Sequence, residues 1–275
     1  MLHQDVTERA CNLIEAASIC PDPFAHLVVD GIFPETYYDQ ILRHLPPQSA
    51  LSIPAKFGMM KIADHDPVFS GLSAEGREFW AVFDREVKAP ICRALLQRYL
   101  PYAKEKLNLI FGDRAKTWAC DLEQDDFIAL RGIVQCRIAG DRMGAHVDKA
   151  TSLFTYLFYF APDESLRPFG TIFYEAKDRA YLLERYRANS AVRAWFPAAD
   201  ELELMPYPPL KFRRNRLVSY VNLPYSLHGA ATDAVGLDTR CRAFAIYRCA
   251  SLCPFLKGGK IPFLRQAPIA ATSNA

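Results

Sequence analysis

Between about Ser73 and Tyr99 an apolar side chain returns at every fourth residue: Phe79, Phe83, Val87, Ile91, Leu95 and Tyr99. Residues four apart share one face of an α-helix, so this row predicts an amphipathic helix whose stripe backs a core. Ser73 stands where a side-chain oxygen caps the first free backbone N–H groups. Pro90 falls inside the row. It lacks an N–H and clashes with the preceding turn, which predicts a kink or a division into two helices. Residues 34–45 (Pro-Glu-Thr-Tyr-Tyr-Asp-Gln-Ile-Leu-Arg-His-Leu) read as a shorter amphipathic helix, opened by Pro34 and stopped by Pro46 and Pro47. Ahead of it, residues 24–33 read as a strand with Gly31 near its end.

From Ile133 onward the period shortens. Residues 133–138, 153–160, 171–174, 217–222 and 240–248 are short runs rich in aromatic and β-branched side chains, separated by Gly, Pro and Asp. That is the pattern of antiparallel strands. Residues 178–195 interrupt them with a helical pattern. Short strands with covering helices predict an α+β fold around a two-sheet jelly roll of the cupin-like kind. No repeat, low-complexity stretch or linker divides the chain, so residues 1–275 are expected to form a single domain. Residues 1–125 would supply the N-terminal strand and supporting helices, and 126–250 the β core with a helical insertion near 175–210. Residues 251–275 would form a C-terminal tail.

Composition narrows the classes. With 51% apolar residues the chain can bury a substantial core, and a net charge of +2 gives no case for a nucleic acid or an anionic membrane as partner. No run approaches the roughly 18 apolar residues of a membrane helix, and the N-terminus lacks the layout of a signal peptide, so a cytoplasmic protein is expected. The 8 cysteines are scattered and form no C-x-x-C pair, which argues against zinc ribbons and thioredoxin-like sites. In a reducing compartment they are expected to be free thiols.

The candidate chemistry lies in the β region. His146-Val-Asp148 places an imidazole and a carboxylate two residues apart, hence on one face of extended chain. His228 follows 80 residues after Asp148. Two imidazoles and one carboxylate make a facial set of three N/O ligands that leaves the opposite positions of a metal open, as in non-haem Fe(II) oxygenases. The other histidines have no comparable company. His3 is terminal, His26 and His44 read as strand and helix-end residues, and His65 in Asp64-His65-Asp66 reads as a solvated loop residue.

The words around the three ligands sharpen this reading. A β-type run with Gln135 and Arg137 leads through a Gly turn to His146; then come Tyr156 and Tyr159 on the next strand, Phe169-Gly170 before Thr-Ile-Phe-Tyr174, and Asn215-Arg-Leu-Val-Ser-Tyr ahead of His228-Gly. The order resembles the 2-oxoglutarate- and Fe(II)-dependent dioxygenases, particularly the prolyl-4-hydroxylase-like branch, over about residues 130–248. A fainter echo lies at Pro23-Phe-Ala-His-Leu-Val-Val-Asp-Gly-Ile-Phe33.

The resemblance implies a double-stranded β-helix, with Fe(II) on His146, Asp148 and His228, and 2-oxoglutarate and O₂ as cosubstrates. It further implies hydroxylation of an unactivated C–H in a small molecule or peptidyl side chain, with release of succinate and CO₂. Asp148 argues against halogenation, because the halogenating relatives replace that carboxylate with a small residue.

The far carboxylate of 2-oxoglutarate needs a cation, ideally a forked guanidinium. Arg240 and Arg242, 12 and 14 residues beyond His228, stand about where the family keeps its basic residue. Being two apart they share a strand face, so periodicity does not choose between them. The Tyr with which the family often contacts the cosubstrate is absent; Arg137 stands near its place, with Gln135, Tyr156 and Tyr159 as further candidates. Arg213, Arg214 and Arg216 form a basic knot, read as solvated or as recognising an acidic substrate. Two other classes remain: a non-catalytic cupin-like protein binding a small acid or metal, and a zinc-dependent hydrolase on the same ligands. Oligomeric state and the identity of the substrate are left open by these residues.

Overall fold

The apolar row of residues 73–99 forms a helical layer, but in three pieces: α3 (Ala74–Val82), a π-helical turn (Phe83–Lys88) and α4 (Ala89–Phe111). The computed structural model describes residues 3–45, 60–62, 71–112, 128–138, 143–149, 152–162, 169–189, 204–232 and 242–252; for 60–62, 128–138 and 242–252 it defines the backbone and its pairing. Pro90 cannot donate to the carbonyl four residues back, and the wider π turn just before it absorbs the mismatch. The expected division therefore occurs as a change of winding rather than a break. Ser73 caps α3 as expected, its Oγ accepting from the Gly76 N–H at 3.1 Å.

Two further helices complete this layer: α1 (His3–Ala16) and α2 (Glu35–Arg43), the second beginning directly after Pro34. α1 was not foreseen. Its buried stripe is only Val6, Ala10 and Ile14, thin and small in a polar sequence. α5 (Arg179–Asn189) falls within the predicted insertion, and the Asp178 carboxylate accepts from the Tyr181 N–H at its start.

The strands are β1 (His26–Asp30), β2 (Met60–Ile62), β3 (Ile128–Ile138), β4 (Met143–His146), β5 (Ser152–Phe160), β6 (Phe169–Ala176), β7 (Leu204–Pro206), β8 (Leu210–Lys211), β9 (Arg216–Val221), β10 (Leu227–Thr232) and β11 (Arg242–Leu252). They form two antiparallel sheets. The first has the order β1-β9-β5-β11-β3-β2; the second has β4-β10-β6-β7, with β8 beside β6. From β3 onward the chain keeps changing sheet: β3, β5, β9 and β11 lie in the first, and β4, β6 and β10 in the second. The molecule thus combines helices with antiparallel sheets, and no described helix is long and apolar enough to cross a membrane.

β5 shows how the layers are built, and why its sequence is apolar without interruption. Phe154, Tyr156, Phe158 and Phe160 join the helical core with Phe33, Phe83 and Tyr99. Leu157 and Tyr159 turn the other way, toward Phe173, Val218 and Tyr220 between the sheets. Side chains two apart share a face, so a strand covered on both sides must be apolar throughout. Phenol hydroxyls tie the helices to this sheet: Tyr99 donates to the Ser219 carbonyl and Tyr38 to the Ala161 carbonyl, each at 2.9 Å.

The arginine knot is structural. Arg216 places its Nε and Nη2 on the Asp30 carboxylate and its Nη1 on the Lys211 carbonyl. Arg213 also approaches Asp30, at 3.5 Å. Arg214 pairs with Glu35 and Asp39 and lies 4.5 Å over the Tyr38 ring. Hydrogen bonding from Arg216 holds the Asp30 carboxyl below its ordinary range. These pairs fasten the start of β9 to β1 and α2 and leave no case for acidic-substrate recognition by Arg216.

Between them Asn215 adopts φ 55°, a left-handed conformation that asparagine tolerates. Its amide gives to the Phe33 carbonyl at 2.6 Å and accepts from the Phe33 N–H at 3.0 Å, both buried. Asn215→Ala should cost roughly 1–3 kcal/mol for each buried Phe33 group left unpaired, measured as a fall in the urea midpoint. A change within about 0.5 kcal/mol, the usual range for surface substitutions, would show the clamp to be idle.

Candidate metal centre

Strand pairing brings the three predicted ligands together. His146 ends β4 and lies directly opposite His228 on β10, and their rings stand 4.2 Å apart between centroids. Asp148 follows two residues on, so its carboxylate falls on the same side as the His146 ring. Its Oδ1 is 3.9 Å from the Nε2 of His146 and 3.9 Å from that of His228. One ligand atom from each residue lies within 4.8 Å of the others, the only such group of three among the described residues. His65 lies outside the described residues. His3 packs edge-on against Tyr37, and His44 stacks on Phe79.

Both imidazoles are oriented by their own backbone. The Nδ1 of His146 meets the Gly144 carbonyl and that of His228 the Ser226 carbonyl, each at 3.0 Å. A carbonyl only accepts, so Nδ1 is the protonated nitrogen in each ring and Nε2 carries the lone pair. Both Nε2 atoms therefore face Asp148 as ligands. Neutral imidazoles and a hard carboxylate suit a divalent first-row metal, and the donor set fits Fe(II).

The surroundings are dry. His146 and His228 are each 4% exposed. Tyr220 lies 4.6 Å from the His228 ring, and Phe173, opposite His228 on β6, lies 5.4 Å from Tyr220. His26 is a strand residue, as expected, and it is buried. It packs 4.9 Å from Phe173, and burial lowers its pKa from 6.5, which keeps it neutral at pH 7.

Gly229 lets β10 approach β4 this closely, since a β-carbon there would collide with the Met143 carbonyl. Gly229→Ala should push the two histidines apart. The expected result is an overpacking cost of about 1–3 kcal/mol and loss of metal binding by titration calorimetry; wild-type binding by a folded variant would show that the spacing has slack. Gly170 lies inside β6, where the antiparallel neighbour β8 comes so close that a β-carbon would strike the Leu210 carbonyl.

The cosubstrate candidates separate by strand face. Directly opposed residues in antiparallel strands share a face. Tyr159 opposes Ala245 on β11, and Ala245 opposes Gln135 on β3; Ala243 opposes Arg137. Tyr159 lies on the face of β5 turned toward the second sheet, where it hydrogen-bonds Thr171 at 2.6 Å. Tyr156 lies on the other face, in the helical core, and does not reach the metal centre. Arg242 opposes Ile138 in the pairing of β11 with β3. Arg240 lies outside the described residues. Among the described residues Cys11, Cys20 and Cys92 form no disulfide.

Three neighbours of Asp148 escaped the sequence reading. The Thr155 hydroxyl donates to Asp148 Oδ2 at 2.9 Å, the Asn222 amide donates to Thr155 Oγ1 at 3.0 Å, and the Tyr186 hydroxyl donates to the Asp148 carbonyl at 3.0 Å. Thr155 had one signal, an inward position on β5. Tyr186 had none, because its distance from Asp148 is set only by the packing of α5.

No family profile matches the chain, and no curated protein matches it. Among solved structures it is similar to a Pseudomonas putida prolyl-4-hydroxylase, with 10% identity over 88% of this chain and 98% of that one and a TM-score of 0.45. It is also similar to SnoN, a non-heme alpha-ketoglutarate-dependent epimerase from nogalamycin biosynthesis, with 11% identity over 90% and 83% of the two chains and a TM-score of 0.43. A third is HygX from Streptomyces hygroscopicus with nickel, 2-oxoglutarate and hygromycin B bound, with 13% identity over 82% of each chain and a TM-score of 0.41. At these identities and scores the likeness carries no functional weight of its own. The chemistry follows from the residues above.

Proposed function

We propose that the protein is an Fe(II)- and 2-oxoglutarate-dependent dioxygenase that hydroxylates a small molecule or peptidyl side chain, built on a double-stranded β-helix. The observation that carries this reading is the buried group His146, Asp148 and His228, with both Nδ1 atoms committed to carbonyls and both Nε2 atoms turned to one carboxylate oxygen. The repeated exchange of the chain between two facing antiparallel sheets supports the fold.

Fe(II), when bound, supplies O₂ activation coupled to oxidative decarboxylation of 2-oxoglutarate. The residues of the chain do the rest. His146 and His228 present oriented lone pairs, and Asp148 neutralises part of the metal charge. Phe173 and Tyr220 exclude water, which lowers the local dielectric and strengthens the charge interactions inside. For the far carboxylate of the cosubstrate Arg137, Arg240 and Arg242 are the candidate cations, with Gln135 and Tyr159 as further contacts. A cleft of about 480 Å³ lined by Glu175, Ala176, Lys177, Arg179, Leu204 and Met205 is within the size range of small-molecule sites and is the candidate approach for a polar substrate.

The reading is tested by metal-dependent release of succinate from 2-oxoglutarate, screened across candidate substrates for turnover above the uncoupled background. Tight Fe(II) binding without consumption of 2-oxoglutarate would instead support a binding protein. Hydrolysis dependent on Zn(II) would support a hydrolase.

A further inference from the structure

Asp148 has two carboxylate oxygens, and the protein treats them differently. Oδ1 is the oxygen 3.9 Å from each histidine Nε2. Oδ2 accepts the Thr155 hydroxyl at 2.9 Å. A hydroxyl has one hydrogen, so a Thr155 that donates to Asp148 has only lone pairs to offer elsewhere. The Asn222 amide nitrogen, 3.0 Å from Thr155 Oγ1, takes one of them. This fixes the amide orientation, because a flipped Asn222 would present its oxygen and draw the hydroxyl hydrogen away from Asp148. The orientation leaves Asn222 Oδ1 buried with no hydrogen-bond partner. Thr155 is fully buried and Asn222 is 2% exposed, so no solvent competes for this arrangement. The Thr155 carbonyl in turn accepts the Ser219 hydroxyl at 2.9 Å, and Tyr186 holds the Asp148 main chain.

Resting on the metal reading above, we propose that Thr155 and Asn222 are positioning residues that restrict Asp148 to one coordinating oxygen. Oδ2 is engaged by a hydrogen bond whose direction Asn222 enforces, which holds that oxygen toward Thr155 and disfavours closure of the carboxylate onto the metal with both oxygens. The consequence is a count of open positions. Two imidazoles and one oxygen occupy three sites of an octahedral ion and leave three adjacent ones, enough for a two-donor oxo acid and O₂ together. A carboxylate binding through both oxygens would leave two.

The test uses Co(II) as a spectroscopic probe on the full chain, reading affinity, the visible d–d spectrum and its change on adding 2-oxoglutarate. Thr155→Val keeps the shape and removes the donor. It should weaken Co(II) by roughly 10–100-fold, the usual effect of losing an outer-shell partner, alter the d–d bands and blunt the response to 2-oxoglutarate. Thr155→Ser restores the hydroxyl and should restore the wild-type spectrum. Asn222→Asp offers acceptors to the Thr155 hydroxyl and should shift the spectrum in the same sense as Thr155→Val; it decides the matter if Thr155→Val does not fold. A wild-type spectrum and affinity in Thr155→Val, or in a folded Asn222→Asp, overturns the proposal. So does a folded Thr155→Ser that behaves like Thr155→Val, since only packing would then be at stake. Absence of Co(II) binding by the wild-type chain overturns the metal reading itself, together with what rests on it.

Discussion

Replacing His146 or His228 with alanine should lower anaerobic Fe(II) affinity by more than the roughly 10–100-fold that loss of an outer-shell partner costs. Each imidazole is a direct donor, pre-aimed by a backbone carbonyl at 3.0 Å. Removing one leaves two donors in a pocket too dry for water to compensate fully. Metal binding should also weaken as the pH falls, because imidazole and carboxylate bind metal only when deprotonated. Titration calorimetry or competition with a chromophoric chelator measures both effects. If His146→Ala and His228→Ala retain stoichiometric Fe(II) at wild-type affinity, the ligand assignment is wrong.

The second large effect concerns the cosubstrate. Removing a guanidinium that forks onto a buried carboxylate costs about 2–5 kcal/mol, so Arg137→Ala should raise the apparent 2-oxoglutarate constant by roughly 30-fold or more. Iron binding should be largely preserved. Arg242→Ala tests the candidate on β11 in the same way. The pair of variants is informative together. A large effect at Arg242 with none at Arg137 would mean that the cation comes from β11. No effect at either would move it to Arg240 or another residue.

Helix and strand positions followed closely from local pattern. The four-residue row from Phe79 to Tyr99 became helix, and every predicted run beyond Ile133 became strand, with boundaries shifted by a few residues. Local rules sufficed because the burial face of each element repeats along the chain itself. They failed at α1, whose stripe of Val6, Ala10 and Ile14 carries too little apolar area to stand out. They also gave no reason for Gly170, where the need for glycine comes from the close approach of the paired strand β8.

By itself the sequence determined the ligand types and one geometric fact, that His146 and Asp148 project to the same side, because a two-residue period is a property of any strand. It also held the context that singled out His228. Only the tertiary structure decided the rest. Pairing of β4 with β10 sets His146 opposite His228, and the absence of a side chain at Gly229 permits it. Periodicity left Arg240 and Arg242 on one common face without saying which binds, and the register of β11 against β3 and β5 exists only in the assembled sheet. Tyr156 and Tyr159 stand three residues apart, and only the layers on either side of β5 show that one serves the helical core and the other the space between the sheets. Thr155 and Tyr186 meet Asp148 from 7 and 38 residues away in the chain, and Asn222 reaches it through Thr155. Their roles depend on hydrogen-bond geometry among distant strands and a helix, and neither period nor composition encodes that.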